Sequence, residues 1–97
     1  MELKSYQRAF LRSHAQGLDP VVSIGKEGAS DNVVKALDDA LTAHELVKVR
    51  FHSFKDEVDS LSRYLEEKTG STLVATTGFT AVFFRQDAKD PERIYKI

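Results

Sequence analysis

Apolar side chains recur along this chain with a period of three to four in some stretches and two in others, and Pro or Gly stands at most of the changeovers. Residues 3 to 15 predict a helix with Leu3, Tyr6, Phe10 and His14 on one stripe, stopped by Gly17 and Asp19-Pro20. Val21-Val22-Ser23-Ile24 is a short β-branched run that breaks at Gly25-Lys26-Glu27-Gly28, a strand entering a tight loop. A second helix follows with Ser30 or Asp31 as cap. Its inner stripe is Val33, Val34, Leu37, Ala40, Leu41 and His44, and its outer one Lys35, Asp38, Asp39 and Thr42. From Leu46 to His52 the period becomes two, with Val47, Val49 and Phe51 on one side and Lys48, Arg50 and His52 on the other. Residues 56 to 69 return to helical spacing through Val58, Leu61 and Leu65, and Lys68 with Gly70 closes that helix. Thr72 to Thr77 and Thr80 to Arg85 are two strands around a hairpin turn at Thr77-Gly78-Phe79.

The order αβαβαββ contains two strand–helix–strand units, whose crossovers are expected to be right-handed. Crossovers stepping the same way put the second and third helices on one face of a four-stranded mixed sheet, an α+β domain. The polar side of strand 46–52 then leaves the opposite face partly uncovered around Lys48 and Arg50. The first helix can pack on either face or at an edge. Phe10, Phe51 and either Phe83 or Phe84 are expected in the core. The domain is expected to span residues 1–86, with 87–97 a polar tail in which Ile94, Tyr95 and Ile97 can dock.

Ninety-seven residues, 41% hydrophobic and 30% charged, suit one small domain with one core. The apolar runs are far short of a membrane span and Met1 to Tyr6 lacks the apolar region of a signal peptide, so the cytoplasm is the expected compartment, with no membrane partner. Without cysteine there is no disulfide, thiol chemistry or thiolate metal site. The net charge of −1 hides a segregation: residues 30–45 and 56–70 each carry −3, and residues 46–55 between them carry +3 through Lys48, Arg50 and Lys55.

Gly25-x-x-Gly28 lies between a strand and a helix N-terminus, where unpaired amides and the helix dipole favour an anion and glycine lets a phosphodiester approach. The same spacing also suits a plain turn into a capped helix, and Glu27 sets a negative charge inside it. Lys4, Arg8 and Arg12 are spaced by four on the first helix, and Lys48 and Arg50 share a strand face; each set reads as a phosphate contact or as an ordinary solvated face. Phe54, Phe79 and Tyr64 are candidates to stack on bases. His14, His44 and His52 fall in no metal-binding or catalytic spacing and the nucleotide and hydrolase loops are absent, so no catalytic residue, metal or cofactor is expected.

The run Leu18-Asp19-Pro20-Val21-Val22-Ser23-Ile24-Gly25-Lys26-Glu27-Gly28, then His44-Glu45-Leu46-Val47-Lys48-Val49-Arg50, and finally Thr69-Gly70 with Gly78-Phe79-Thr80-Ala81-Val82-Phe83-Phe84-Arg85, resembles the CRM domain (chloroplast RNA splicing and ribosome maturation) in its stand-alone bacterial, YhbY-like form. The resemblance covers roughly residues 2 to 86. It implies an RNA-binding domain related to the C-terminal domain of bacterial translation initiation factor three, associating with precursors of the large ribosomal subunit. It also places the family's GxxG loop on Gly25, Lys26, Glu27 and Gly28 and its basic helix on Lys4, Arg8 and Arg12, with Lys48 and Arg50 on the strand after His44-Glu45-Leu46. The partners expected are structured ribosomal RNA and ribosomal proteins, bound by a monomer through backbone phosphates. The near-neutral charge and Glu27 depart from the family's pattern. The alternative is a protein-interaction module whose acidic helix faces, with Asp38, Asp39, Glu66 and Glu67, take a basic partner.

Overall fold

The computed structural model describes residues 2–86 and 93–97, so the polar run from Asp87 to Glu92 lies outside the described residues. The elements are α1 (Ser5–Ala15), β1 (Val22–Ile24), α2 (Asp31–His44), β2 (Leu46–Phe51), a 3₁₀ turn (Lys55–Glu57) leading into α3 (Val58–Thr69), β3 (Thr72–Thr77) and β4 (Thr80–Phe84). The strands lie in the order β1-β2-β4-β3. β1 and β2 are parallel, and β4 pairs antiparallel with both β2 and β3, giving the mixed α+β sheet expected from the sequence.

Both faces of the sheet carry a core. On one, α2 and α3 bury Leu37, Leu41, Val58 and Leu65 against Val22, Ile24, Val47, Val49, Phe51, Leu73, Ala81 and Phe83. On the other, α1 buries Leu11 and Ala15 against Leu46, Val74, Val82 and Phe84, joined by Leu3. Phe83 and Phe84 are therefore both buried, back to back through the sheet. The expected stripe of α1 is corrected: Tyr6 is 69% and Phe10 40% exposed, and the aliphatic stripe one position round the helix faces the sheet instead. Phe10 packs edge-on against His14, ring centroids 4.5 Å apart, and His14 against Tyr95 at 5.6 Å. These rings form the margin of the second core.

Three polar devices hold the layers. Arg85 donates to Thr69 O (2.7 Å), Asp38 O (3.0 Å), Asp38 Oδ1 (2.6 Å) and Thr42 Oγ1 (2.9 Å), tying the end of β4 to α2 and to the end of α3. A bulge in β3 at Val74 is held from both faces: Leu73 N–H donates to Glu66 of α3, and Arg8 of α1 donates to Leu73 O (2.8 Å) and Val74 O (2.6 Å). Buried Glu45, between α2 and β2, accepts from the amides of Ile94 (3.1 Å) and Tyr95 (3.0 Å) and from Gln86 Nε2 (3.2 Å). Tyr95 and Ile97 dock on the second core, so the tail's last residues are held.

Candidate nucleic-acid interface

Parallel neighbours end at the same edge of a sheet, so the loops after β1 and β2 are adjacent. The amides of His52 and Ser53 both donate to Ile24 O, at 2.9 and 3.2 Å, stitching the start of the second loop to the end of β1. Phe51 N–H donates to Phe79 O at 2.7 Å, bringing the β3–β4 hairpin tip to the same place. Three loops thus meet: Gly25–Gly28, His52–Lys55 and the hairpin tip.

Gly25–Gly28 is a β-turn closed by Gly28 N–H donating to Gly25 O at 3.0 Å, with Lys26 and Glu27 exposed at its centre. Gly28 is buried at φ +69, and a Cβ there would stand 3.4 Å from Phe54 Cε2. Its amide is consumed by the turn. Ser30 is the N-cap of α2 and its Oγ accepts from Val33 N–H at 3.3 Å, satisfying one more donor of the helix end. Gly25 is different: it lies outside the left-handed region and nothing stands within 4 Å of the place its Cβ would occupy. Among the described residues no backbone acceptor takes the amides of Lys26 and Glu27, and the turn's open approach is over Gly25.

The cations divide between two places. Ser23, Arg50, Thr80 and Thr77 are partners in register across all four strands, a polar row on the α1 side of the sheet at the end where the loops meet. One row inward, Lys48 pairs with Val82, and Arg12 lines a cleft there with Lys48, Thr77, Thr80 and Val82. Lys48 is half-buried, its ammonium donating to Leu18 O at 3.2 Å. Arg8 sits at the opposite end of β3, its guanidinium on the bulge carbonyls, and exposed Lys4 lies a further turn back, its amide on Gln7 Oε1. The basic stripe of α1 is thus split, with Arg12 alone joining Lys48 and Arg50. Lys55, which the sequence reading counted as charge without giving it a place, stands over the Phe79 ring at 4.8 Å. Its signal was available: it follows β2, and β2 runs parallel to the strand before the Gly25 turn.

Among the described residues Arg12, Lys26, Arg50 and Lys55 have no carboxylate partner, whereas Lys35 pairs with Asp39, Arg63 with Glu66 and Arg85 with Asp38. The acids named in the protein-interaction alternative are therefore largely engaged within the domain. Among the described residues no three His, Asp or Glu side chains gather as a metal site, and no helix is long and apolar enough to cross a membrane.

Comparison with known proteins agrees with this architecture. Residues 3–85 match the CRS1 / YhbY (CRM) domain. The chain is 33% identical over 91 residues to the "Probable RNA-binding protein YqeI" of Bacillus subtilis, covering 93% of this chain and 95% of that protein. It is 32% identical over 84 residues to an "RNA-binding protein" of Haemophilus influenzae, covering 86% and 85%. The solution structure of the hypothetical protein SAV1595 from Staphylococcus aureus is similar with a TM-score of 0.79 at 36% identity, over 94% of this chain and 96% of that one. On the extent of that match and the shared fold, the chain belongs to the CRS1 / YhbY (CRM) domain family.

Proposed function

We propose that this protein is a cytoplasmic, non-enzymatic RNA-binding protein that holds structured ribosomal RNA in precursors of the large subunit, where ribosomal proteins are its neighbours. The observation that carries the reading is a group of four cations around the loops at one end of the sheet, Arg12, Lys26, Arg50 and Lys55, none of them paired with a carboxylate among the described residues. Relatives of similar length named as RNA-binding proteins support it, and the family resemblance supplies the ribosomal setting. A phosphate over Gly25 would meet the amides of Lys26 and Glu27 and the Lys26 ammonium, and the strand would continue past Arg50 towards Lys48 and Arg12. Arg8 serves the β3 bulge in this arrangement, and Lys4 contributes only distant charge.

Fluorescence anisotropy with a structured fragment of large-subunit ribosomal RNA tests the reading. Three or four phosphate contacts give a log-affinity slope against log salt of about −3. Gly25→Asp with Lys26→Glu should abolish binding in a protein that still melts as the wild type does. Absence of wild-type binding at low salt would overturn the proposal.

A further inference from the structure

Two phenylalanines in the loops that meet the Gly25–Gly28 turn belong to neither core. Phe54 is 40% and Phe79 44% exposed, at positions where the chain could have placed a polar residue. Phe54 has φ +56 and ψ +40, left-handed backbone that bulky residues rarely adopt, and its ring lies on the α-carbon side of Gly28. Phe79 caps the hairpin, its carbonyl fixed by Phe51 N–H and its ring under the Lys55 ammonium. Residues 51 to 55 therefore connect both rings to the end of β1 and to the turn. Tyr64, the third exposed aromatic candidate, is on α3 and lies under Lys68 instead.

We propose that Phe54 and Phe79, with Lys55 over the Phe79 ring, form a stacking platform for unpaired nucleobases next to the phosphate seat, so that the RNA taken here is a loop or bulge and not a continuous A-form helix. The inference rests on the RNA-binding reading and narrows it. Paired A-form RNA keeps its base faces inside the helix and offers only edges, riboses and phosphates, which an exposed ring cannot stack on. An unstacked base presents a free face, and its own phosphates fall near Lys26, Lys55 and Arg50.

The test uses the whole protein with two RNA probes: a hairpin carrying one 2-aminopurine in its loop, and the same stem closed into a blunt duplex. The wild type should bind the hairpin more tightly and change the 2-aminopurine fluorescence on binding. Phe54→Leu with Phe79→Leu should bind the hairpin about 5- to 100-fold more weakly and leave the fluorescence unchanged, with duplex binding unaltered. Replacing both rings by Trp should restore the preference. If thermal melting shows that the double leucine variant does not fold, Phe79→Leu alone, at the hairpin tip, carries the comparison. Equal binding of hairpin and duplex, with the leucine variants unchanged while Gly25→Asp still abolishes binding, would overturn the platform and leave the phosphate grip standing. Binding of neither probe by the wild type would overturn both.

Discussion

The two glycines of the turn should fail differently. Gly28 holds φ +69, where a Cβ costs about 1–2 kcal/mol, while the loss of backbone freedom in the unfolded chain returns about 0.4–1 kcal/mol. The nearest atom to that Cβ, Phe54 Cε2 at 3.4 Å, is in ordinary contact and adds little. Gly28→Ala should therefore destabilise the domain by about 1 kcal/mol and lower its Tm by roughly 4–8 °C. Gly25 has neither the left-handed backbone nor a neighbour within 4 Å, so Gly25→Ala should hold or slightly raise the Tm. RNA affinity should respond the other way round. Gly25→Asp fills and charges the approach over the turn and should remove binding, whereas Gly28→Ala at a temperature where it is folded should retain most of it. Urea titrations give the stabilities and anisotropy gives the affinities. A Gly28→Ala protein as stable as wild type would refute the backbone assignment, and wild-type affinity in folded Gly25→Asp would refute the contact.

Charge reversal separates the two halves of the basic helix: Arg12→Glu with Arg50→Glu should weaken RNA binding strongly and flatten its salt slope by about 2, whereas Lys4→Glu should do little. Arg8→Ala leaves the carbonyls of Leu73 and Val74 without their donor, and should cost about 1–3 kcal/mol of stability in urea titration with RNA affinity nearly unchanged. Glu45→Ala should release the tail, seen as faster hydrogen exchange at the amides of Ile94 and Tyr95 while β4 stays protected. Burial, and then the Glu45 charge, raise the Tyr95 hydroxyl above its ordinary 10.0. The folded state thus holds that proton more tightly than the unfolded one. Its contribution is full below the unfolded value and lost as pH rises from there through the folded value, so urea midpoints should fall above about pH 10 in the wild type and less in Tyr95→Phe.

The order of elements was legible because Pro and Gly punctuate it and because each period persists over a whole segment. The helix at 30–44 and the alternation at 46–52 needed no tertiary help. Helix α1 was harder. Its apolar residues fit two overlapping stripes, Tyr6–Phe10–His14 and Leu11–Ala15, and period alone does not choose between them. Packing does: small Ala15 admits the helix to the sheet, and the rotation that buries Leu11 also swings Arg8 onto the β3 carbonyls. The bulge that gives Arg8 its partners was not legible in Thr72-Leu73-Val74-Ala75-Thr76-Thr77, because the continuous apolar run Leu73-Val74-Ala75 reads equally as a regular strand covered on both faces. The same limit governed the site. Gly25 and Gly28 are visible as a spacing, but only φ and neighbouring space distinguish the one that shapes the turn from the one that leaves it open.

The net charge of −1 stops being an objection once the sheet is seen as a partition. Asp31, Asp38, Asp39, Asp59 and Glu66 stand on the helices of one face, three of them in ion pairs with Lys35, Arg63 and Arg85. Arg12, Lys48 and Arg50 stand on the other, continuing to Lys26 and Lys55 in the loops. At physiological salt the screening length is about 8 Å, comparable to the spacing between packed layers, so a phosphate on the α1 side meets the nearby cations far more than the distant acids. The acids nearest the loops, Glu27, Asp31, Asp56 and Glu57, follow a second logic. Asp31 sits in the first turn of α2 and Asp56 and Glu57 in the 3₁₀ turn that leads into α3, where helix dipoles favour negative charge, and Glu27 lies in the turn just before α2, so these acids compete with any anion seated on the helix ends. In the proposed complex this charge pattern would steer a backbone away from the helix ends, over Gly25 and along the row through Arg50. Replacing Glu27 by Gln should strengthen binding at low salt, and no change there would place the strand farther from the turn than the open approach over Gly25 suggests.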